Sequence, residues 1–143
     1  MGRMVVAGVA CLLMVAGCGS ADQQLTDAAA QSAREAASEV GSAQLAVEQL
    51  LADKLWSRPA NQMVRDAEKN LGKLTSSFES QQPQTDNSRR IYDQTEKALS
   101  DAQQAVTATR IALGNDDLGA ASRQLAVLQR SEQTLDRIGE LAQ

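Results

Sequence analysis

Apolar residues recur at three- and four-residue intervals along most of the chain from residue 22 to residue 143. This spacing places apolar side chains on one face of an α-helix. The pattern is interrupted at Trp56-Ser57-Arg58-Pro59, at the polar stretch 81–87 and at Gly114-Asn115-Asp116-Asp117. These interruptions divide the pattern into four segments, so the sequence predicts four helices.

The first helix is predicted from Asp22 to about Trp56, with Ser20 or Asp22 as its N-cap. Alanine and serine dominate the first half of its apolar face, and leucine and valine dominate the second half. We therefore expect this helix to be well packed near its end and weakly packed near its start. Its predicted core positions are Leu25, Ala29, Ser32, Ala36, Val40, Ala43, Val47 and Leu50, with Leu51 and Leu55 alongside.

The second helix is predicted to end near Ser80, and the third is predicted to begin at about Ser88. Gly114 is a natural stop for the third helix, and Asn115-Asp116-Asp117 offers caps for the fourth. The predicted core positions of the second helix are Ala60, Met63, Val64, Ala67, Leu71, Leu74 and Phe78. Those of the third are Ile91, Thr95, Ala98, Leu99, Ala102, Ala105, Val106, Thr109, Ala112 and Leu113. Those of the fourth are Leu118, Ala121, Leu125, Leu128, Ser131, Leu135, Ile138 and Ala142.

The segment Trp56-Ser57-Arg58-Pro59 is interpreted as a tight reversal, because proline disfavours helix at the residue before it and suits the first turn of a new helix. A kinked continuous helix is the alternative. Short connections make consecutive helices antiparallel, so the predicted fold is an all-α, up-down bundle of about four helices. The turns at 56–59 and 114–117 then lie at one end of the bundle, and the loop 81–87 and the C-terminus lie at the other. The same spacing also permits a coiled-coil-like homo-oligomer.

The composition excludes several classes of active site. The chain has no histidine, and its two cysteines, Cys11 and Cys18, both precede the predicted bundle. Residues 22–143 therefore hold no His- or Cys-based metal site, no disulfide and no nucleophile with a histidine partner. A glycine-rich phosphate loop is absent from the sequence, and carboxylate pairs such as Glu35 with Glu39 are expected on solvent-facing surfaces or at caps. We predict a protein that is not an enzyme and that binds no metal or cofactor.

Two further features of the composition restrict the residues of the core and the class of partner. Aromatic residues make up only 2% of the chain, so the core must be built from alanine, leucine, valine and isoleucine. The formal net charge is −4, and a mildly acidic surface argues against nucleic acid as a partner, because phosphate binding needs clustered positive charge.

The first 18 residues have the pattern of an export signal. Met1-Gly2-Arg3 supplies a basic start, and residues 4–16 form an apolar run about 20 Å long as a helix. This run is too short to span a hydrocarbon core of about 30 Å. Small residues follow it, as in a secretory signal peptide. Val15-Ala16-Gly17-Cys18 resembles, position by position, the lipobox of bacterial lipoproteins.

That resemblance implies that the Cys18 thiol receives a diacylglycerol group, that the chain is cleaved between Gly17 and Cys18, and that the new amino group is often acylated. It covers residues 1–18 and implies nothing about the function of the rest of the chain. The predicted organisation is a signal peptide at 1–17, a lipidated cysteine with a short tether at 18–21, and a helical bundle at 22–143. Two or three acyl chains give stable anchoring. We therefore expect an exported protein, held on the extracytoplasmic side of a cell membrane or envelope with its bundle close to the bilayer.

Arg89 and Arg90 are candidate membrane-contact residues. They open the third helix at the end of the predicted bundle that faces the membrane, where basic side chains attract anionic headgroups. The favoured alternative is a pair of ordinary solvated arginines balanced by Asp86 and Asp93.

Trp56 and Arg58 are candidate partner-contact residues at the opposite end. Trp56 is the only tryptophan of the chain, and tryptophan and arginine are enriched in binding hot spots. The favoured alternative is a core tryptophan that closes the end of the bundle.

The predicted function is that of a lipid-anchored, non-enzymatic protein of the cell envelope that presents a helical bundle to a protein or envelope partner. The alternative is a carrier or sensor of a small apolar ligand or lipid held between the alanine-rich helices. A third interpretation, a purely structural spacer, predicts self-association.

Overall fold

The computed structural model describes residues 20–142, which form four α-helices and one short 3-10 turn. The helices are α1 at Ala21–Leu51, α2 at Ser57–Glu79, α3 at Asp86–Gly114 and α4 at Leu118–Gly139, and the 3-10 turn follows at Glu140–Ala142. The helices pack around one apolar core, so the prediction of an all-α bundle of four helices is confirmed. The predicted signal peptide, the lipobox and Cys18 lie outside the described residues.

Consecutive helices are antiparallel, as the side-chain contacts between them show. Asn70 Nδ2 in α2 donates to Glu39 Oε1 in α1 across 3.1 Å, so α2 runs back along α1. Thr107 Oγ1 in α3 donates to Glu68 Oε1 in α2 across 2.7 Å. The reversal between α1 and α2 is therefore confirmed, and the alternative of a kinked continuous helix is wrong.

The two ends of the bundle carry different connections. We call the end at which α1 begins the near end; it holds residues 80–85 and the end of α4. Thr85 Oγ1 donates to Asp22 Oδ1 across 2.6 Å and ties the loop to the start of α1. We call the opposite end the far end; it holds the turns at 52–56 and 115–117. This arrangement matches the predicted placement of the turns.

The cross-section of the bundle is narrow along one diagonal. Helix α1 packs against α2, α3 and α4, whereas the Cα atoms of α2 and α4 stay more than 8 Å apart in the part of the chain that the structure describes. The buried residues of α1 and α3 are mostly alanine, serine and threonine, whereas α2 and α4 bury larger residues such as Leu71 and Leu128. Close approach of two backbones needs small side chains between them, so the alanines decide which pair of helices meets.

The expectation of weak packing at the start of α1 is wrong. Ala29, Ala30, Ala33 and Ala36 are completely buried. Their small side chains are covered because α3 and α4 both pack against α1. Ser32, which was expected in the core, is only partly buried.

Helix α1 ends at Leu51, five residues earlier than expected, because the backbone turns there. Asp53 adopts a left-handed conformation with φ 55°. The amides of Lys54 and Leu55 both donate to the carbonyl oxygen of Gln49, across 2.8 Å and 3.1 Å. These bonds satisfy a carbonyl that the end of a helix otherwise leaves unpaired.

Three helices begin with a side-chain cap. Ser20 Oγ accepts from the amide of Gln23 in α1, and Asp117 Oδ1 accepts from the amide of Ala120 in α4. In α3 the caps are reciprocal: Thr85 Oγ1 accepts from the Ser88 amide, and Ser88 Oγ accepts from the Thr85 amide. Helix α3 therefore begins at Asp86, two residues before the expected start.

The end of α3 and the start of α4 differ in detail from the expectation. Helix α3 does end at Gly114, but the left-handed residue of the turn is Asp116, with φ 54°. Leu118 was expected in the core and is 45% exposed. It is the first residue of α4, beyond the level at which α3 and α1 cover that helix. None of the helices between residues 20 and 142 is long and apolar enough to cross a membrane.

Candidate functional site

Exposed apolar side chains are concentrated toward the far end of the bundle. Among residues 20–142, the exposed large hydrophobic residues are Leu45, Leu51, Trp56, Ile111, Leu118 and Leu141. All except Leu141 lie in the half of the bundle that includes the far end. The apolar surface of this protein is therefore polarised along the bundle axis.

Trp56 is the most exposed member of this set, with 84% of its surface accessible. The interpretation of Trp56 as a core residue that closes the bundle is therefore wrong. A tryptophan can bury 150–250 Å² when it packs against other groups, so its exposure forgoes a large hydrophobic contribution to folding. An exposed tryptophan is the kind of side chain that anchors protein interfaces.

The backbone around Trp56 is held by hydrogen bonds. The Asp53 amide donates to the Leu50 carbonyl oxygen across 3.1 Å, in addition to the two bonds that Gln49 accepts. On the other side, the carbonyl oxygen of Trp56 accepts from the Ala60 amide across 3.1 Å. The tryptophan is therefore presented on an ordered turn, and a partner that binds it has little backbone entropy to remove.

A groove of about 510 Å³ lies beside Trp56. Leu50 and Leu55, both half-buried, supply apolar surface, and Arg58 and Asp53 supply charge. Ser57 completes the lining. This combination of apolar surface and charged rim is typical of a contact site for another protein. We call Lys54, Trp56, Arg58 and the groove the Trp56 surface.

The basic residues of the Trp56 surface have no acidic partner in the described part of the chain. The ion pairs between residues 20 and 142 are Lys97 with Asp101 and Arg110 with Glu68. Lys54 and Arg58 take part in neither. Asp53 lines the same groove, so Lys54 and Arg58 leave the Trp56 surface with a net positive charge in a chain whose formal net charge is −4. The Trp56 surface thus favours an acidic group beside an apolar one.

The predicted membrane-contact residues, Arg89 and Arg90, are exposed at the near end. Arg90 Nη2 donates to Asn87 Oδ1 across 3.1 Å, and neither arginine forms an ion pair with residues 20–142. The structure therefore separates the two candidate pairs: Arg89 and Arg90 lie at the near end and Trp56 and Arg58 at the far end.

Among residues 20–142, two titratable groups have perturbed pKa values, and neither belongs to the Trp56 surface. Burial raises the pKa of Glu132, and the charges of Asp136 and Glu48 raise it further. Burial also raises the pKa of Tyr92, which stacks on Phe78 with ring centroids 5.3 Å apart. Of the carboxylate pair expected on a solvent-facing surface, Glu35 is exposed, whereas Glu39 is partly buried and accepts a hydrogen bond from Asn70 in α2. No group of three or more potential metal ligands occurs among residues 20–142.

The grooves between the helices are open to solvent and have mixed polar and apolar linings. The groove between α3 and α4 has a volume of about 510 Å³ and includes Asp101, Gln104 and Arg130 in its lining. The groove between α2 and α3 is of similar size and includes Glu79, Glu96 and Gln103. Neither groove encloses a ligand as small-molecule sites usually do.

No protein-family model, no curated protein and no solved structure matches this chain. The function is therefore argued from its own residues.

Sequence reasoning selected Trp56 and Arg58 but missed the exposure of Leu118 and Leu51. Both leucines continue the helical spacing of core residues, so periodicity alone assigns them to the core or its edge. For Leu118 a usable signal was its position directly after the predicted caps Asn115-Asp116-Asp117, where the covering neighbours run out. No such signal marked Leu51, because the first helix was predicted to continue to about Trp56.

Proposed function

We propose that this protein is a lipid-anchored, non-enzymatic component of a cell envelope, which holds its bundle at a membrane surface and presents the Trp56 surface to a protein partner. The observation that carries the proposal is the 84% exposure of Trp56 on an ordered turn at the end opposite the start of α1. An exposed tryptophan adds little to the stability of the fold, whereas a tryptophan at an interface adds strongly to binding. Its exposure therefore favours a contact role.

The anchor is proposed from Val15-Ala16-Gly17-Cys18 and from the position at which α1 begins. Ser20 caps α1, so only Gly19 separates the cap from Cys18. A lipid on Cys18 would hold the near end, with Arg89 and Arg90, close to the headgroups. The 31 residues of α1 span about 46 Å, so an upright bundle would hold the Trp56 surface at about that distance from the bilayer.

The packing favours a contact protein over a carrier of an apolar ligand. A carrier needs a mainly apolar cavity between its helices. The alanine stripe that suggested such a space, including Ala33 and Ala36, is completely buried against the other helices. The interhelical grooves are open to solvent, and their mixed linings include charged and amide side chains.

The anchor is tested by expression in a bacterium that processes lipoproteins, followed by membrane fractionation and mass spectrometry of the N-terminal peptide. We expect a chain that begins at an acylated Cys18 and sediments with membranes. Cys18→Ser should abolish acylation, whereas the matched Cys11→Ser variant should be acylated normally. An unmodified Cys18 in the parent protein would overturn the anchor.

The contact role is tested by replacing Trp56 with the photoreactive amino acid p-benzoylphenylalanine in the intact, membrane-associated protein. Irradiation should yield a discrete cross-linked protein adduct. The matched control carries the same amino acid at Leu45, which is also exposed and apolar but lies along the side of α1. Equal cross-linking from both positions, or none from position 56, would contradict a contact role for the Trp56 surface.

A further inference from the structure

The far end carries a second exposed surface, formed by Asp116, Asp117 and Leu118. Leu118 is 45% exposed, and Asp116 is an exposed residue held in a left-handed turn. Asp117 uses Oδ1 to cap α4 and is otherwise exposed. This segment, which we call the acidic turn, combines two carboxylates with an adjoining apolar side chain.

The acidic turn has the chemistry that the Trp56 surface favours. The Trp56 surface combines Lys54 and Arg58 with an apolar groove, and the acidic turn combines carboxylates with Leu118. Both surfaces lie at the same end of one molecule. Within residues 20–142, however, no ion pair joins Lys54 or Arg58 to Asp116, so the two charges do not neutralise each other inside the chain.

We propose that the partner of the Trp56 surface is a second copy of this chain, in an end-to-end dimer in which each Trp56 surface receives the acidic turn of the other copy. The proposal rests on the contact role of the Trp56 surface and not on the lipid anchor. The two near ends of such a dimer point away from each other, so two upright, anchored copies pair across facing bilayers and not within one. A two-fold axis along the bundle direction packs two copies side by side, whereas an axis perpendicular to it places two far ends face to face. Such an axis forms both complementary contacts at once, which is the property of an isologous interface.

The dimer is expected to be weak. The end of a four-helix bundle offers less than the roughly 800 Å² per partner of a standard interface. Exposed ion pairs add little affinity individually and mainly set orientation. Trp56 and Leu118 supply the apolar contacts, and the opposite net charges of the Trp56 surface and the acidic turn select the two-fold arrangement over others.

Sedimentation equilibrium of the full chain in density-matched, non-ionic detergent micelles tests the proposal, with detergent in large excess to suppress chance co-occupancy of micelles. The parent protein should pass from monomer to dimer as its concentration rises. Trp56→Ser should raise the dissociation constant at least about 30-fold, as expected for loss of a hot-spot residue. Arg58→Glu and Asp116→Arg should each raise it by about tenfold.

Charge reversal provides the decisive comparison. The double variant Arg58→Glu/Asp116→Arg should restore the dissociation constant to within about threefold of the parent value, because each copy again presents opposite charges to the other. Arg65→Glu is the matched control: it makes the same charge change two turns along α2 and should leave association unchanged. Thermal unfolding by circular dichroism verifies that each variant is folded.

Cross-linking locates the contact independently. A carbodiimide joins amines to carboxylates in direct contact, and an equal mixture of ¹⁵N-labelled and unlabelled protein distinguishes bonds between copies from bonds within one. A mixed-isotope product between Lys54 and Asp116 or Asp117 supports the dimer.

A protein that stays monomeric, or a dimer that the double variant does not restore, overturns the self-association. If the protein is monomeric and position 56 photo-cross-links to a different protein, the dimer is overturned and the contact role of the Trp56 surface stands. If the monomer binds anionic vesicles and this binding depends on Trp56, the dimer is overturned and a lipid bilayer is the partner of the Trp56 surface.

Discussion

Arg34 of α1 donates a hydrogen bond from Nη1 to the carbonyl oxygen of Gly139 across 2.6 Å, and so joins the first helix to the end of the last. The last carbonyls of a helix lack partners within the helix, and a positive charge near them is favourable. Gly139 has no side chain to obstruct this crossing. A Cβ atom added there would lie 2.8 Å from Arg34 Cγ, closer than packed atoms allow.

Gly139→Ala should therefore destabilise the protein although alanine favours helix more than glycine does. Displacing Arg34 removes a charge-assisted hydrogen bond, and we expect the free energy of unfolding to fall by about 1–2 kcal/mol. Urea denaturation measures the change. Gly72→Ala is the matched control, because a Cβ there would make an ordinary contact of 3.6 Å with Gln103 Nε2. It should raise the free energy of unfolding by up to about 1 kcal/mol. Equal effects at the two glycines would contradict the role of Arg34.

Trp56→Ser should raise the stability of the folded protein. Trp56 occupies the N-cap position of α2 and makes no side-chain capping bond. Because the indole is exposed, its removal forfeits little packing, whereas a serine hydroxyl can accept from the first amides of α2. We expect a gain of about 1 kcal/mol, measured by thermal unfolding with circular dichroism. Trp56→Ala removes the indole without adding a cap and should be nearly neutral. A large loss in both variants would mean that Trp56 packs against the bundle.

Glu132 should make stability depend on pH. Its pKa in the folded protein is raised above the ordinary value of 4.5, first by burial and then by Asp136 and Glu48. A group with a raised folded pKa contributes its stability fully below the unfolded pKa and loses it as pH rises through the folded pKa. Glu132→Gln should therefore be more stable than the parent at pH 7, and the difference should shrink toward pH 4. Asp136→Asn should reproduce part of the effect. A difference that grows toward low pH would contradict this assignment.

The two ion pairs of residues 20–142 should differ in their effects on stability. Glu68 is half-buried, accepts from Thr107 Oγ1 and lies 2.7 Å from Arg110 Nε, in a geometry that is not that of a linear hydrogen bond. Glu68→Ala removes the acceptor of the Thr107 hydroxyl and the partner of the Arg110 guanidinium. We therefore expect the free energy of unfolding to fall by about 1–3 kcal/mol. Lys97 pairs with Asp101 one turn away in the same helix, on the surface. Lys97→Ala should cost about 0.3–0.5 kcal/mol. Denaturant titration measures the loss of unfolding free energy in each variant. Losses of similar size would contradict the expected difference.

Arg89 and Arg90 should increase binding of the acylated protein to anionic membranes. Replacing both by alanine should lower the ratio of binding to anionic over neutral vesicles by about tenfold at low salt, because each basic residue near the surface contributes to the attraction. High salt should remove most of the difference. Arg58→Ala/Arg65→Ala makes the same change of charge away from the near end and should leave the ratio unchanged. An unchanged ratio in the Arg89/Arg90 variant would show that these arginines do not face the bilayer.

Much of the fold could be predicted because helical periodicity and helix breakers are local. Pro59 and Gly114 marked two of the connections, and the predicted core of α3 from Thr95 to Leu113 is buried. Short connections then placed the turns at common ends. The position of Asp53 in a left-handed turn was not predictable in this way, because the hydrogen bonds to Gln49 that stabilise it form only when the chain reverses.

The sequence by itself determined the number of helices, their apolar faces and their antiparallel order, because these follow from spacing and from the length of connections. Only the tertiary structure decided that the alanines of α1 meet α3 across a narrow diagonal, and that Trp56 and Leu118 stay in contact with water. Burial depends on which neighbours cover a residue. At the ends of helices the neighbours run out, so the same apolar spacing that fills the core in the middle of the bundle produces exposed surface at its far end.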